Sequence, residues 1–330
     1  MSTATLDTLK DEDHERLLAH LEHALGSVIR NALEDPTVSE IMLNPDGKVW
    51  IDRFGKPMSH EADLTPREGE SIISLVASSL KRTANRSNTS IAGEFPIENH
   101  RFQGQLPPNT TAPMFSIRKK AENILTLEDY VASETITKEV KAILEEQILK
   151  RRNIIIAGGT GTGKTTLANA IIHSINMLCP SDRLVLLEDT YELQSQSENT
   201  VRLKATEEFP MESQLKDTLR LRPDRIIVGE VRDGAALKLL EAWNTGHPGG
   251  ISTLHANSAL EALDRLETLV QYISATPLPR VIGNAVDCIV YITHADTKSC
   301  RKVTTVLDIA GYDCTTRTYT KEYLYYEPQH

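Results

Sequence analysis

The sequence predicts an α/β protein whose larger part is a mostly parallel β-sheet with helices on both faces. Apolar segments that fit buried strands alternate with amphipathic segments that fit helices between residues 138 and 270. A glycine-rich loop stands between one such strand and the following helix, at residues 158–165. Because helical patterns, alternating strands and turn signals fill residues 1–120, we expect a separate small α+β domain before the sheet.

Residues 1–120 are interpreted as this N-terminal α+β domain. Apolar residues at helical spacing predict one helix over residues 12–34 and another over residues 68–81. The turn at residues 45–47, Pro-Asp-Gly, separates two short strand patterns and indicates a hairpin. Further strands are expected at Gly93–Ile97, Phe102–Leu106 and Met114–Ile117.

Residues 121–137 are interpreted as a linker with one short helix, and residues 138–330 as the second domain. A helix over residues 138–149 leads into an apolar strand, Asn153–Ala157. Further buried strands are predicted at Leu184–Leu187, Ile226–Val228 and Ile251–Leu254, with helices near Ser213–Leu221, Gly234–Asn244 and Ala259–Val270. Segments rich in β-branched residues and tyrosine predict additional antiparallel strands at Cys288–Thr293, Val303–Ala310 and Thr318–Leu324.

Composition narrows the functional classes. A net charge of -10 disfavours a broad nucleic-acid-binding surface, so direct DNA binding is not expected. Three short basic clusters keep a RecA-like nucleic-acid motor as an alternative: Lys81-Arg82, Arg118-Lys119-Lys120 and Lys150-Arg151-Arg152. No apolar run approaches the roughly 18 residues of a membrane span, and the polar N-terminus does not fit a secretory signal. The cysteines form no C-x-x-C pair, so we expect no zinc site or disulfide framework and a cytoplasmic protein.

The glycine-rich loop fits G-x-x-x-x-G-K-[ST], the pattern of a phosphate-binding loop. Its candidate binding residues are Gly158, Gly159, Thr160, Gly161, Thr162, Gly163, Lys164, Thr165 and Thr166. In such a loop, backbone N–H groups point at the phosphates, the lysine neutralises the β- and γ-phosphates, and the adjacent hydroxyl holds Mg²⁺. The sequence therefore predicts an ATP and Mg²⁺ site, with Lys164 on phosphate and Thr165 on the metal.

Carboxylates follow two of the predicted strands. Glu188, Asp189 and Glu192 come after the strand at residues 184–187, where they either reach Mg²⁺ or water or form a charged surface exit. Glu230 follows the strand Ile226–Val228 and is suited to orienting a water or holding the outer shell of a metal. The nearby cations suit γ-phosphate or subunit contacts, or pair with neighbouring acids: Arg220, Arg222 and Arg232.

His255 follows the strand Ile251–Leu254, on the same side of the predicted sheet. A neutral imidazole there is placed to hydrogen-bond the γ-phosphate or its water. A lone histidine is more often structural, but the glycine loop and the two acidic strand ends favour a functional His255. The role of His247 stays open.

These segments, in this order, resemble the four motifs of the secretion and traffic ATPase superfamily. They are the glycine loop at 158–166, an aspartate box at 187–193, an acidic strand at 219–233 and a histidine box at 245–257. Residues 38–47 and 116–119 resemble the N-terminal domain of the type IV secretion branch, and among its members the TrbB-type conjugal transfer ATPases are most similar. No cysteine lies between residues 230 and 278, unlike the tetra-cysteine module common in type II secretion relatives.

The resemblance implies a RecA-like P-loop ATPase domain preceded by a PAS-like N-terminal domain. It implies a homo-hexamer that hydrolyses Mg-ATP and powers a conjugative type IV secretion system, in pilus biogenesis or in DNA or protein transfer. It also implies a cytoplasmic protein, peripheral on the inner membrane, with inner-membrane components of the machine as partners. A type IV pilus or type II-like secretion motor is the alternative, and a nucleotide-binding switch with weak turnover is another.

The resemblance also implies roles for individual residues. Glu230, together with Glu188 or Glu192, is the candidate acid for activating water, and Glu188 is a further candidate for Mg²⁺. His255 would sense the γ-phosphate. Arg118, and also Arg101, would reach phosphate from the N-terminal domain and couple domain closure to hydrolysis.

Overall fold

The computed structural model describes residues 3–53, 56–120, 124–206 and 208–328, with only the backbone path for residues 3–14. The chain divides into two compact units, Met1–Glu122 and Asn123–His330. Among the described residues, one hydrophobic core lies in the first unit and two lie in the second. Within the described residues, every helix is too short or too polar to cross a bilayer.

The N-terminal unit is a six-stranded antiparallel sheet with two helices packed on it. Its elements are α1 (Thr3–Glu34), β1 (Val38–Leu43), β2 (Lys48–Arg53), β3 (Ser59–Asp63), α2 (Pro66–Ser79), β4 (Ser90–Glu94), β5 (Arg101–Gln105) and β6 (Met114–Arg118). The strands lie in the order β3-β2-β1-β6-β5-β4. The core consists of the apolar residues that alternate along β1, β2, β5 and β6 and the inner faces of α1 and α2.

Local sequence explains where these helices begin and bend. Thr65 starts α2 through a capping box, in which the Glu68 carboxylate accepts the Thr65 N–H at 2.7 Å and the Thr65 hydroxyl accepts the Glu68 N–H at 3.4 Å. Gly26 interrupts α1 with a φ of 67°, a left-handed conformation that favours glycine. The strand β3 was not predicted, because Ser59–Asp63 is polar and lies at an edge of the sheet.

The C-terminal unit is an eight-stranded sheet with helices. Its elements are α3 (Leu127–Ala132), α4 (Lys138–Leu149), β7 (Ile154–Gly158), α5 (Lys164–Leu178), β8 (Leu184–Glu188), β9 (Thr200–Lys204), α6 (Met211–Thr218), β10 (Arg225–Glu230), α7 (Ala235–Trp243), β11 (Ile251–His255), α8 (Ala259–Val270), α9 (Pro279–Ala285), β12 (Cys288–His294), β13 (Arg301–Asp313) and β14 (Thr318–Tyr326). The strand order is β14-β13-β12-β7-β11-β10-β8-β9.

The sheet is mixed, as the sequence predicts, but one strand has a different direction from the expected one. Strands β12, β7, β11, β10, β8 and β9 pair in parallel, and β13 and β14 pair antiparallel. The prediction that Cys288–Thr293 forms an antiparallel strand is therefore wrong on the β7 side. Because β12 is paired on both edges, its composition is that of a buried strand and does not reveal its direction.

The segment interpreted as a linker contains α3, which packs into the C-terminal unit. Leu127 and Tyr130 are buried in the same core as α4 and α5. Three of the interpreted linker residues, 121–123, lie outside the described residues.

The parallel strands place their carboxyl ends along one edge of the sheet. At that edge β7 stands between β11 and β12, and β10 is the next strand beyond β11. In open α/β sheets ligands bind beside the carboxyl ends of the strands, so the residues that follow these strands define the candidate site.

Candidate active site

The glycine-rich loop connects the fully buried strand β7 to α5. Gly161 and Gly163 have φ values of 74° and 89°, in the left-handed region that lets backbone N–H groups turn inward. Lys164 is only 8% exposed, and its Nζ donates to the carbonyl of Gly159 at 2.8 Å. Thr165 is half-buried in the first turn of α5. The loop therefore has the backbone shape of a phosphate cradle, with the lysine ammonium held across it.

His255 stands beside this loop because β11 pairs with β7 and places His255 opposite Gly158. Its Nδ1 and Nε2 lie 3.3 and 3.4 Å from Lys164 Nζ, and its Nε2 also lies 3.1 Å from Glu230 Oε1. An ammonium can only donate and an ionised carboxylate can only accept. The pair of contacts therefore fits a neutral imidazole that accepts through Nδ1 and donates through Nε2.

Glu230 is turned toward His255 by an irregularity at the end of β10. The pairing of β10 with β11 shifts by one residue between Val228 and Glu230. The Thr253 hydroxyl fills the gap by donating to the Gly229 carbonyl at 2.7 Å, and the Val231 N–H donates to the Thr253 carbonyl at 3.2 Å. A bulge of this kind re-aims the side chain that follows it.

Arg232 holds the second carboxylate oxygen of Glu230. Its Nε donates to Glu230 Oε2 at 2.7 Å, and its Nη1 donates to Asp189 Oδ2 at 3.1 Å. Arg232 thus pairs with neighbouring acids, which is one of the two roles that the sequence left open for it; the other was contact with the γ-phosphate or a subunit. Through it, the aspartate box is connected to the carboxylate that contacts His255.

Glu188 has a different environment at the end of β8, where it is 2% exposed. Its Oε1 accepts the N–H groups of Glu192 and Leu193 at 2.8 and 2.6 Å, and its Oε2 lies 3.5 Å from Arg202 Nη2. Burial raises the pKa of Glu188 to about 7, against the opposing effects of these hydrogen bonds and of Arg202. Glu188 therefore holds the loop that follows its own strand.

Asn169 fastens the same loop to the helix of the glycine loop. This residue of α5 is 3% exposed, and its Nδ2 donates to the Glu192 carbonyl at 3.1 Å. Its Oδ1 accepts the Gln194 N–H at 2.9 Å. Sequence reasoning missed Asn169, although a polar residue in the buried apolar run of α5 is a signal that it has a specific partner.

The other predicted residues lie elsewhere. Arg101 and Arg118 are directly opposite each other on β5 and β6 of the N-terminal unit, and Arg118 is exposed. His247 Nδ1 lies 3.3 Å from the Ala242 carbonyl, which favours a structural role for it. Arg220 is exposed, 3.9 Å from Asp217.

The assembled groups fit a nucleotide and a divalent cation. The loop offers backbone N–H groups and one ammonium, which suit phosphate oxygens. The Thr165 hydroxyl and the Glu230 carboxylate are oxygen donors of the kind that Mg²⁺ prefers, and Mg²⁺ takes its remaining ligands from water and phosphate.

Comparisons with known proteins show which family this chain resembles. A family model described as "Type II/IV secretion system protein" matches residues 23–323. The conjugal transfer protein TrbB of Rhizobium radiobacter is 50% identical, over 91% of this chain and 92% of that protein. The type IV secretion system protein VirB11 of Bartonella henselae is 31% identical, over 81% of this chain and 84% of that protein.

Solved structures share the fold. The pilus retraction motor PilT with bound ADP superposes with a TM-score of 0.60 and 19% identity, over 91% of this chain and 82% of that chain. The ATPase DotB of Legionella pneumophila superposes with a TM-score of 0.59 and 20% identity, over 87% and 80% of the two chains.

Proposed function

Because this chain belongs to the type II/IV secretion system protein family, we propose that it is an ATPase that powers conjugative type IV secretion. The observation that carries the proposal is the line of contacts from Lys164 through His255 to Glu230, beside a phosphate-binding loop. The identity to a conjugal transfer protein over nearly the whole of both chains supports the choice of conjugation. Pilus movement is the alternative, which the solved structures do not distinguish because they share only the fold.

In the proposed reaction, Lys164 leaves the Gly159 carbonyl and neutralises the β- and γ-phosphates of ATP. The loop N–H groups would hold the phosphates, and the Thr165 hydroxyl would hold Mg²⁺, which would supply neutralisation of phosphate charge. Glu230 accepts the proton of the attacking water, as a carboxylate already oriented by Arg232. Neutral His255 donates a hydrogen bond from Nε2 to Glu230 and so fixes the carboxylate. Alternatively, when Lys164 turns toward the γ-phosphate, His255 donates this hydrogen bond to the γ-phosphate instead.

We assign the loop carboxylates to positioning. Glu188 is buried and already accepts two backbone N–H groups, so it is less suited than Glu230 to bind Mg²⁺ directly. Glu192 lies in the segment that Glu188 and Asn169 hold, and it remains the second candidate acid. Thr165 would then be the residue that holds Mg²⁺ directly, and Glu230 would act on it through water.

The family also supports a proposal for the larger assembly. We propose a homo-hexamer, peripheral on the cytoplasmic side of the inner membrane, that works with inner-membrane components of the secretion machine. Residues 138–330 form a RecA-like ATPase domain, residues 121–137 a linker, and residues 1–120 a PAS-like domain. For Arg118, and with it Arg101, we propose a role in binding the phosphates of ATP. The adjacency of the two arginines across β5 and β6 supports a joint role.

Hydrolysis by the purified chain tests the proposal. We expect Mg²⁺-dependent release of phosphate from ATP by the wild type and a loss of about 10²-fold or more in kcat for Glu230→Gln. Glu241→Gln is the matched control, since Glu241 is an acid on α7 that pairs with Lys238. Equal rates for wild type and Glu230→Gln would remove the proposed role of Glu230. No hydrolysis by the wild type would leave a nucleotide-binding switch as the better description.

A further inference from the structure

The hairpin formed by β12 and β13 lies directly against the glycine loop. Strand β12 pairs with β7 on the side opposite β11, and its pairing with β13 brings His294 and Arg301 to the same level. A Cβ atom on Gly158 would lie 2.3 Å from the Ile292 carbonyl oxygen, so the two strand ends are in close contact. The residues that follow β12 and begin β13 are therefore neighbours of the loop, although about 140 positions separate them in the chain.

The guanidinium of Arg301 lies at Gly163, the last glycine of the loop. A Cβ atom on Gly163 would lie 2.8 Å from Arg301 Nη1 and 3.4 Å from its Cζ, so the guanidinium packs on the Gly163 backbone. In the described residues of this unit, 124–206 and 208–328, the guanidinium has no carboxylate within salt-bridge distance. Burial raises the pKa of the Tyr130 hydroxyl, and the positive charge of Arg301 acts in the opposite direction. A half-buried cation with no carboxylate partner among these described residues suits an anionic ligand.

The two sides of the glycine loop differ in chemistry. On the β11 side, His255 contacts the ammonium of Lys164, the group that reaches the β- and γ-phosphates. Arg301 lies on the β12 side, at the start of α5. In the proposed complex the terminal phosphates lie at Lys164, and the α-phosphate and nucleoside extend away from His255, toward the β12 side.

We propose that Arg301 is a nucleotide-binding residue that contacts the α-phosphate of ATP and of ADP. The inference depends on the proposed nucleotide site and adds to it a cation from outside the glycine loop. Because both nucleotides carry the α-phosphate, Arg301 should contribute to the affinity for each. It should contribute little to the chemical step, which takes place at the γ-phosphate on the other side of the loop.

The test measures the Kd of ATP and of ADP by titration calorimetry with the full chain, and kcat at saturating ATP. We expect Arg301→Gln to weaken both nucleotides by about tenfold or more, with kcat within about twofold of the wild type. Arg301→Lys, which keeps the charge, should recover part of the affinity. Lys302→Gln is the matched control, because Lys302 is the next residue of β13 and pairs with Glu327 at 2.6 Å.

Distinct results separate this inference from the proposed function. Absence of ATP binding by the wild type would contradict the nucleotide site itself. Wild-type binding together with unchanged ADP affinity in Arg301→Gln would overturn the role of Arg301 alone. A loss restricted to ATP would place the contact at the γ-phosphate and also overturn the inference, as would an equal loss in Lys302→Gln. If Arg301→Gln does not fold, Arg301→Lys and Arg301→Met replace it. Folded forms of both variants that bind ATP and ADP as tightly as the wild type would exclude the contact.

Discussion

His255 Nε2 lies 3.1 Å from Glu230 Oε1, so the histidine at the end of β11 and the acid at the end of β10 form one hydrogen-bonded pair. The same imidazole lies 3.3 Å from Lys164 Nζ through its Nδ1. His255 is therefore the connection between the cation of the glycine loop and the carboxylate that we propose to act on water. Two residues that act through one contact should not contribute independently.

We predict that His255→Asn and Glu230→Gln have non-additive effects on kcat. Each single variant should lose about 10²-fold or more, because removing either partner misplaces the other. The double variant should lose little more than the worse single variant. Steady-state ATP hydrolysis by the four proteins measures the interaction. Losses that multiply in the double variant would show that the pair does not act as a unit.

Stability should depend on pH through Glu188. Its ordinary pKa of 4.5 is raised to about 7 by burial in the folded protein. Because the folded-state pKa is raised, folding favours the protonated carboxyl group of Glu188. The resulting contribution to the free energy of unfolding is fully present below pH 4.5 and is lost as the pH rises through about 7. We expect the wild type to lose about 3 kcal/mol of the free energy of unfolding across that interval relative to Glu188→Gln.

Denaturant unfolding of both proteins at about pH 4 and about pH 8 measures this difference. The glutamine keeps a carbonyl oxygen that can accept the N–H groups of Glu192 and Leu193. If the free energies of unfolding of wild type and Glu188→Gln differed by the same amount at both pH values, Glu188 would be ionised in the folded state.

Asn169→Leu should destabilise the loop after β8. The leucine has a similar size but leaves the Glu192 carbonyl and the Gln194 N–H without the amide that now pairs with them. We expect a loss of about 2 kcal/mol in the free energy of unfolding and a lower kcat. Met177→Leu, on the same helix but exposed, is the control. Unchanged stability and kcat in Asn169→Leu would mean that this loop needs no anchor on α5.

The proposed role of Arg118 can be tested by removing its side chain. If the guanidinium stabilises the transferring phosphate, Arg118→Ala should lower kcat by about 10³-fold and keep the nucleotide affinity. Arg86→Ala, another exposed arginine of the N-terminal unit, should match the wild type. Phosphate release and nucleotide titration provide the two readouts. Equal losses of affinity and of kcat would make Arg118 a plain binding residue.

The parts of the molecule that depend on local pattern were accessible from the sequence. The strand, glycine loop and helix around Lys164 follow from residues adjacent in the chain, and the structure has them as β7, loop and α5. The resemblance to secretion ATPases is confirmed by the match over residues 23–323. The α/β class with a mixed sheet is also confirmed. It was predictable because apolar strands and amphipathic helices alternate clearly along the sequence.

The remaining features depend on contacts between distant segments. The parallel pairing of β12 and the short polar strands β3 and β9 have no distinctive local pattern. Glu188 stood in the sequence as one acid among three, and only the fold shows that it is buried against the Glu192 and Leu193 N–H groups. Arg301 gave no signal, since its position beside Gly163 results from the β12–β13 hairpin.

Plasmid transfer between cells tests the central claim most directly. The native gene would be deleted and replaced with the wild type, Lys164→Ala or the control Lys302→Gln. We predict that the wild type and Lys302→Gln restore the transfer frequency and that Lys164→Ala, produced at an equal level, does not. Transfer that persists after deletion, or that Lys164→Ala restores in full, would contradict an ATPase that powers conjugative secretion.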